Sequence, residues 1–253
     1  MRIFVAQSPK YLIGWDKQFV GRLFIPDLAS KAQDTFSDNM VWGADNGCFT
    51  EFKENKFMNM LENIKNGPNG KFICCPDVVG EFEQTIELFE EWQPKIKEYK
   101  QPVALVLQDG ATTENIPWDK FDALFIGGST EWKLGEEAAK ITKKAKQKNM
   151  WVHMGRVNTA KRIKYAISIG IDSIDGMSFS RFHKTHLPKG IEYIKNFSKA
   201  INASFGVFQV FCLVRFSLSI KYASCILDTK DLVTPNKSAT STFLIKLFAT
   251  GSA

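Results

Sequence analysis

Asp45, Asp77, Asp109, Asp172 and Asp175 each stand at the edge of a short apolar run. Gln108, His153, Arg156 and Arg181 occupy similar positions, and Gly127 and Gly128 end the run "ALFIGG". Acids placed this way suit two kinds of chemistry. An ionised carboxylate can form and later release a covalent bond, and a carboxyl with a raised pKa can carry a proton in and out of a reaction. Several carboxylates facing one opening would repel each other unless substrate, protons or arginines compensate. Taken singly, each acid also reads as a turn former or helix N-cap. Capping does not call for an acid after nearly every strand, so the set as a whole points to a site. Asp172 is read as a structural hydrogen-bonding acid, and His153 equally as a core histidine or a ligand.

The elements that must position these residues are β-rich runs at 2–8, 40–47, 71–80, 102–110, 122–130, 150–156 and 172–179. Continuous apolar runs of this length suit strands buried on both faces, as in a parallel sheet. Helical patterns separate them at 81–99, 134–148 and 159–170, the last closing on Gly170 as a stop signal. After a helix-like stretch at 190–201, "FGVFQVF" (205–211) is expected to supply an eighth strand. Repeated βα units predict an α/β fold, a (β/α)8 barrel of TIM type that is incomplete or irregular at its C-terminus. An open doubly wound sheet is the alternative, weakened because no Gly-rich dinucleotide or P-loop pattern follows any strand. The barrel domain is expected over 1–203, with 204–253 as a tail of different character.

Bulk properties narrow the field. A charge of +6 fits a polyanionic partner or simply a lysine-rich surface. Five cysteines, Cys48, Cys74, Cys75, Cys212 and Cys225, form no C-x-x-C pair, and the histidines show no ligand spacing, so no metal is expected. The apolar stretch at 204–227 is broken by Arg215 and Lys221, which argues against a membrane span. The N-terminus has too short an apolar run for a signal peptide, and a reducing, cytoplasmic setting is expected. The basic stretch 140–148 falls on an outer helix and reads as a solvated face. The stretch 181–189 directly follows Asp175 and is the better candidate for phosphate contact.

With these residues assembled, "VHMGRVNTAKRIKYAISIGIDSIDGMSFSR" (152–181) resembles the tRNA-guanine transglycosylase family. There, Met-Gly at a strand end is followed by a helix, a Gly-x-Asp-x-x-Asp segment and an arginine. The matching positions are Met154, Gly155, Gly170, Asp172, Asp175 and Arg181. Upstream, "ADNGCF", "CPDVVG", "VLQDG" and "FIGGST" resemble further family elements in the family order, so the likeness covers about residues 40–181. The family's C-terminal zinc element is missing and its Gln-Gly-Gly has become Gln108-Asp109-Gly110. A shorter relative is suggested, similar to the DpdA-type transglycosylases that place 7-deazaguanines in DNA.

The resemblance implies that Asp175 is the nucleophile and Asp45 the general acid and base. It further implies that Asp77, Gln108 and the Gly127–Gly128 backbone bind a guanine or 7-deazaguanine base. Met154 or Phe49 would stack on that base, and Arg181 would pair with Asp175 or hold a phosphate. The expected reaction replaces guanine in DNA, or alternatively in tRNA, without a cofactor. Rival expectations are a barrel hydrolase of nucleosides or glycosides, a non-catalytic barrel that binds a base or polynucleotide, and a metal-dependent hydrolase.

Overall fold

The computed structural model describes residues 1–6, 11–12, 14–28 and 32–199. Eight parallel strands close into a barrel in sequence order. They are β1 (Arg2–Val5), β2 (Val20–Phe24), β3 (Trp42–Ala44), β4 (Gly70–Cys74), β5 (Val103–Leu107), β6 (Ala123–Ile126), β7 (Trp151–Met154) and β8 (Ser173–Asp175). The ring closes where β1 pairs with β8, Phe4 lying opposite Asp175. This is the expected (β/α)8 architecture, reached with one strand assigned differently. The strand between the first two expected runs is β2, "VGRLF", whose Gly21 and Arg22 interrupt the apolar pattern that marks the others. The segment 205–211 and the tail from 204 lie outside the described residues, and the ring closes through β2 without them.

Helices α1 (Ala32–Ser37), α2 (Glu54–Ile64), α3 (Phe82–Lys97), α4 (Thr130–Lys133), α5 (Glu136–Gln147), α6 (Ala160–Ser168) and α7 (Met177–Arg181) follow the strands. A further helix, α8, runs over 183–199. The longer ones bury one stripe each: Phe57, Met60, Leu61 and Ile64 on α2, and Phe82, Thr85, Phe89, Trp92 and Ile96 on α3. Helix α6 stops where expected, with Gly170 in the left-handed region at φ +86°.

Strand pleating divides the buried residues into two shells. Ile3, Val5, Ile73, Leu105, Ile126, Val152, Met154 and Ile174 face the helices. Phe4, Leu23, Phe72, Cys74, Ala104, Val106, Ala123 and Phe125 fill the barrel. Inside, the Phe4 and Phe72 rings stack with centroids 5.9 Å apart, and Phe72 meets Phe125 edge-on at 6.0 Å. His153 lies 4.8 Å from both Phe72 and Phe125. Large rings fit because the residues beside them are small. A β-carbon at Gly43 would overlap the Phe72 ring, and one at Gly155 would meet Phe125 at 2.8 Å. Among the described residues no helix is long and apolar enough to cross a membrane.

Gly43→Ala is expected to lower the unfolding free energy by about 1–3 kcal/mol, the usual range for overpacking a filled core. Urea denaturation followed by circular dichroism measures it; an unchanged midpoint would mean that the Phe72 ring relaxes freely.

Candidate active site

The inward rows of the strands end at one mouth, where the βα loops surround a cavity of about 820 Å³, ample for a nucleoside-sized ligand. Asp45, Asp77 and Asp175 all line it, together with Gln108, Gly127, Phe125 and Phe49. The set of acids gathered from separate strand ends in the sequence therefore converges in space.

Asp175 is the last residue of β8 and its side chain is 18% exposed. Its Oδ1 lies 3.1 Å from the Arg156 backbone N–H and 3.1 Å from His153 Nε2. On its other side, His153 Nδ1 lies 2.8 Å from Ser173 Oγ, which accepts from Trp151 Nε1 at 2.9 Å. A carboxylate oxygen can only accept, so Nε2–H donates to Asp175, and in the neutral imidazole Nδ1 then accepts from the Ser173 hydroxyl. Both contacts fall on Oδ1, while Oδ2 makes no hydrogen bond among the described residues and Asp175 lines the cavity. His153 is fully buried and thus belongs to the core and to the site at once.

Asp45 follows β3, its Oδ1 accepting from the Gly47 N–H at 3.0 Å. Burial pushes its carboxyl up to about 7, against the Gly47 hydrogen bond, and the charges of Asp175 and Asp77 push the same way. Asp77 is also raised by burial, but two amides and Arg156 oppose the shift. Asn46 Nδ2 and Gln108 Nε2 each donate to one Asp77 oxygen at 2.6 Å. Three carboxylates at one opening are thus held in three different environments. One is favoured as an acid, one is tied by amides, and one is pinned through a single oxygen.

Several expected contacts are arranged differently. Met154 faces the helix shell, fully buried, because it is one residue out of phase with inward-facing His153; it cannot stack on a ligand in the barrel, and Phe125 and Phe49 are the rings at the cavity. Gln108 orients Asp77, while its Oε1 accepts from the Gly80 and Gly128 N–H groups at 3.0 and 2.9 Å. The Gly127 N–H is held by the Leu107 carbonyl at 2.9 Å. Neither glycine N–H is therefore directed at a ligand. The pair is needed for space, since a β-carbon at Gly127 would meet Gln108 Nε2 at 2.8 Å and one at Gly128 would meet Asp109 Oδ1 at 2.8 Å.

Arg181 lines the cavity from α7 but makes no ion pair with Asp175 among the described residues. Asp172 sits at the opposite end of β8, accepting both from the Val152 N–H and from Lys146 Nζ, which fits its structural reading. The lysines of 140–146 lie on α5 and Lys148 just beyond its end, Lys146 and Lys148 pairing with Asp172 and Asp119.

Three contributors have no role assigned from the sequence, although Asn46 and Arg156 fall among its strand-end polar residues. Asn46, next to Asp45, is buried and donates both to Asp77 and to the Cys75 carbonyl, each at 2.6 Å. Arg156 has φ +59°, its guanidinium bonded to the Gly128 carbonyl and stacked 4.7 Å from the Phe49 ring centroid. Lys133, inside a helix of four residues, is wholly buried. Among the described residues no group of three or more His, Cys, Asp or Glu is placed to hold a metal ion.

The sequence matches no family model. No curated protein matches it either. Solved structures do resemble it. One is a cube-shaped, highly porous protein cage designed by fusing symmetric oligomeric domains, with TM-score 0.52 and 14% identity over 98% of this chain and 91% of that chain. At that identity the likeness concerns the fold alone.

Because Asp45 is raised from its ordinary 3.8 to about 7, the folded chain binds its proton more tightly than the unfolded one. The penalty is absent below about pH 4, grows as pH rises through this window, and is complete above about pH 7. Asp45→Asn is expected to match the parent in melting temperature near pH 4 and exceed it by roughly 2–4 °C or more at pH 8. Thermal melts across that range check it.

Proposed function

We propose that this chain is a base-exchange transglycosylase. It replaces guanine in a polynucleotide, DNA in preference to tRNA, with a 7-deazaguanine through a covalent aspartyl–sugar intermediate. The observation that carries the proposal is the pairing of roles in one cavity: Asp175 with Oδ1 pinned and Oδ2 without a hydrogen bond among the described residues, beside Asp45 with its carboxyl near 7.

In the first displacement Asp175 Oδ2 attacks C1′ and the N-glycosidic bond breaks. The bonding pair goes to N9 of guanine, and the Asp45 carboxyl supplies the proton that neutralises it. In the second, the Asp45 carboxylate removes the corresponding proton from the incoming base. That nitrogen attacks C1′ and Asp175 departs as carboxylate. Two inversions give net retention, the logic of a retaining glycosidase, and the phosphodiester backbone is never broken. An Asp45 value near 7 suits both halves, because acid and base forms are then both populated at neutral pH.

Asp77 supplies the base-recognising acceptor. Each of its oxygens accepts one amide hydrogen bond and retains a second lone pair for N1–H or an exocyclic amine. Phe49, 63% exposed at the rim, offers a face for stacking. Arg156, Arg162 and Arg181 line the same cavity and fit the phosphates flanking the reacting nucleotide. DNA is preferred on the likeness of the sequence elements to the DpdA-type DNA enzymes. Such a reaction belongs in the cytoplasm of a bacterium or of a phage-infected host. A nucleoside hydrolase would use the same acids but send water to the intermediate, with no requirement for an incoming base.

Labelled guanine is expected to enter duplex or single-stranded DNA and not tRNA, with Asp175→Asn reducing incorporation by about 10⁴-fold or more. No label in either polynucleotide, with the chain folded and several bases tried, would reject base exchange. Release of free base without incorporation would identify the hydrolase. The single-turnover rate of guanine release is expected to fall as pH rises through about 7, where Asp45 loses its proton, and to lose that dependence in Asp45→Asn.

A further inference from the structure

Lys133 is fully buried, yet among the described residues the hydrogen bond of its ammonium is to a neutral group, the Gly155 carbonyl at 2.8 Å. Burying an ammonium against a neutral oxygen is costly, and an apolar side chain of similar length would fill the space more stably. The peptide unit it touches is also the one that holds Asp175. The Gly155 C=O accepts from Lys133 Nζ, and the Arg156 N–H of the same planar amide donates to Asp175 Oδ1 at 3.1 Å. Drawing electron density toward the carbonyl oxygen makes the opposite N–H a stronger donor, the cooperative effect of chained hydrogen bonds at low dielectric.

We propose that Lys133 is a positioning residue for Asp175, acting through the Gly155–Arg156 peptide to fix Oδ1 and leave Oδ2 to react. The role rests on Asp175 being the nucleophile of the exchange described above. It explains why a lysine occupies a site that packing alone would give to methionine. It also gives the left-handed Arg156 a purpose, because its backbone serves the relay while its guanidinium serves the rim. The charged groups around Lys133 are Arg156, Asp175, Arg162 and Asp109. Burial lowers its ammonium to about 7, helped by Arg156 and Arg162 and opposed by Asp175 and Asp109. The relay is therefore switchable near neutrality: strong when Lys133 is charged, weak when it is neutral.

The test is a heteronuclear NMR titration of the full chain in the Asp45→Asn background, which removes the titration of Asp45 near 7. The Gly155 carbonyl carbon and the Arg156 amide proton are expected to shift with the same midpoint as Lys133 Cε, and Lys133→Met is expected to abolish that dependence. An Arg156 amide indifferent to Lys133 protonation overturns the proposal, and this result needs no Lys133 variant to fold.

In the otherwise native chain, Lys133→Met is expected to lower kcat about tenfold with KM for the incoming base unchanged. A lower kcat with a matching loss of folded protein, or no change in kcat, also overturns it. If the parent shows no exchange at all, the proposed function fails, while the resonances still decide whether the relay exists.

Discussion

Closure of the parallel ladder is the constraint from which the rest follows. Once β1 pairs with β8, every strand residue must face either the packed interior or the helix shell. The inward rows then all run out at the same rim. Asp175 arrives there from β8, Gln108 from the end of β5, and Asp45 from the end of β3. No long-range signal is needed to bring the acids together, because the backbone geometry delivers them. The glycines at 43 and 155 are part of that constraint, since the barrel interior accommodates its phenylalanines only where neighbouring positions carry no β-carbon.

Bringing carboxylates to one opening creates an electrostatic cost that the site meets in three ways. At Asp45 burial favours the protonated form. At Asp77 two amides satisfy the carboxylate, each fixed in turn by backbone groups. At Asp175 a backbone N–H and a buried imidazole stabilise one oxygen and orient the other. Identical residue types acquire different environments, which is how one site could offer both the proton carrier and the nucleophile that the proposed exchange needs. Asn46, Gln108 and His153 supply those surroundings.

Much of the fold was legible because buried parallel strands are written as apolar runs, and seven of the eight were found that way. The strand at Val20–Phe24 was hidden by Gly21, small because Phe4 lies against it, and by Arg22, which lies over the Phe24 ring. At the site, the acids were legible as a set because they recur after strands. Met154 was misplaced for a reason the sequence already contained: pleating puts it on the opposite face from His153 two residues before Gly155. The engagement of the Gly128 N–H by Gln108 and the buried amine of Lys133 could not be read, because they depend on loops whose paths are set by tertiary packing.

The proposed exchange depends on Asp175 becoming covalently bound to the sugar. The most direct measurement is mass spectrometry of the acid-quenched chain after brief incubation with a guanine-containing DNA oligonucleotide in the absence of incoming base. An oligonucleotide adduct lacking its guanine, mapped to the peptide that carries Asp175, is expected. Base exchange proceeding with no adduct, or with the adduct on Asp45, would contradict it.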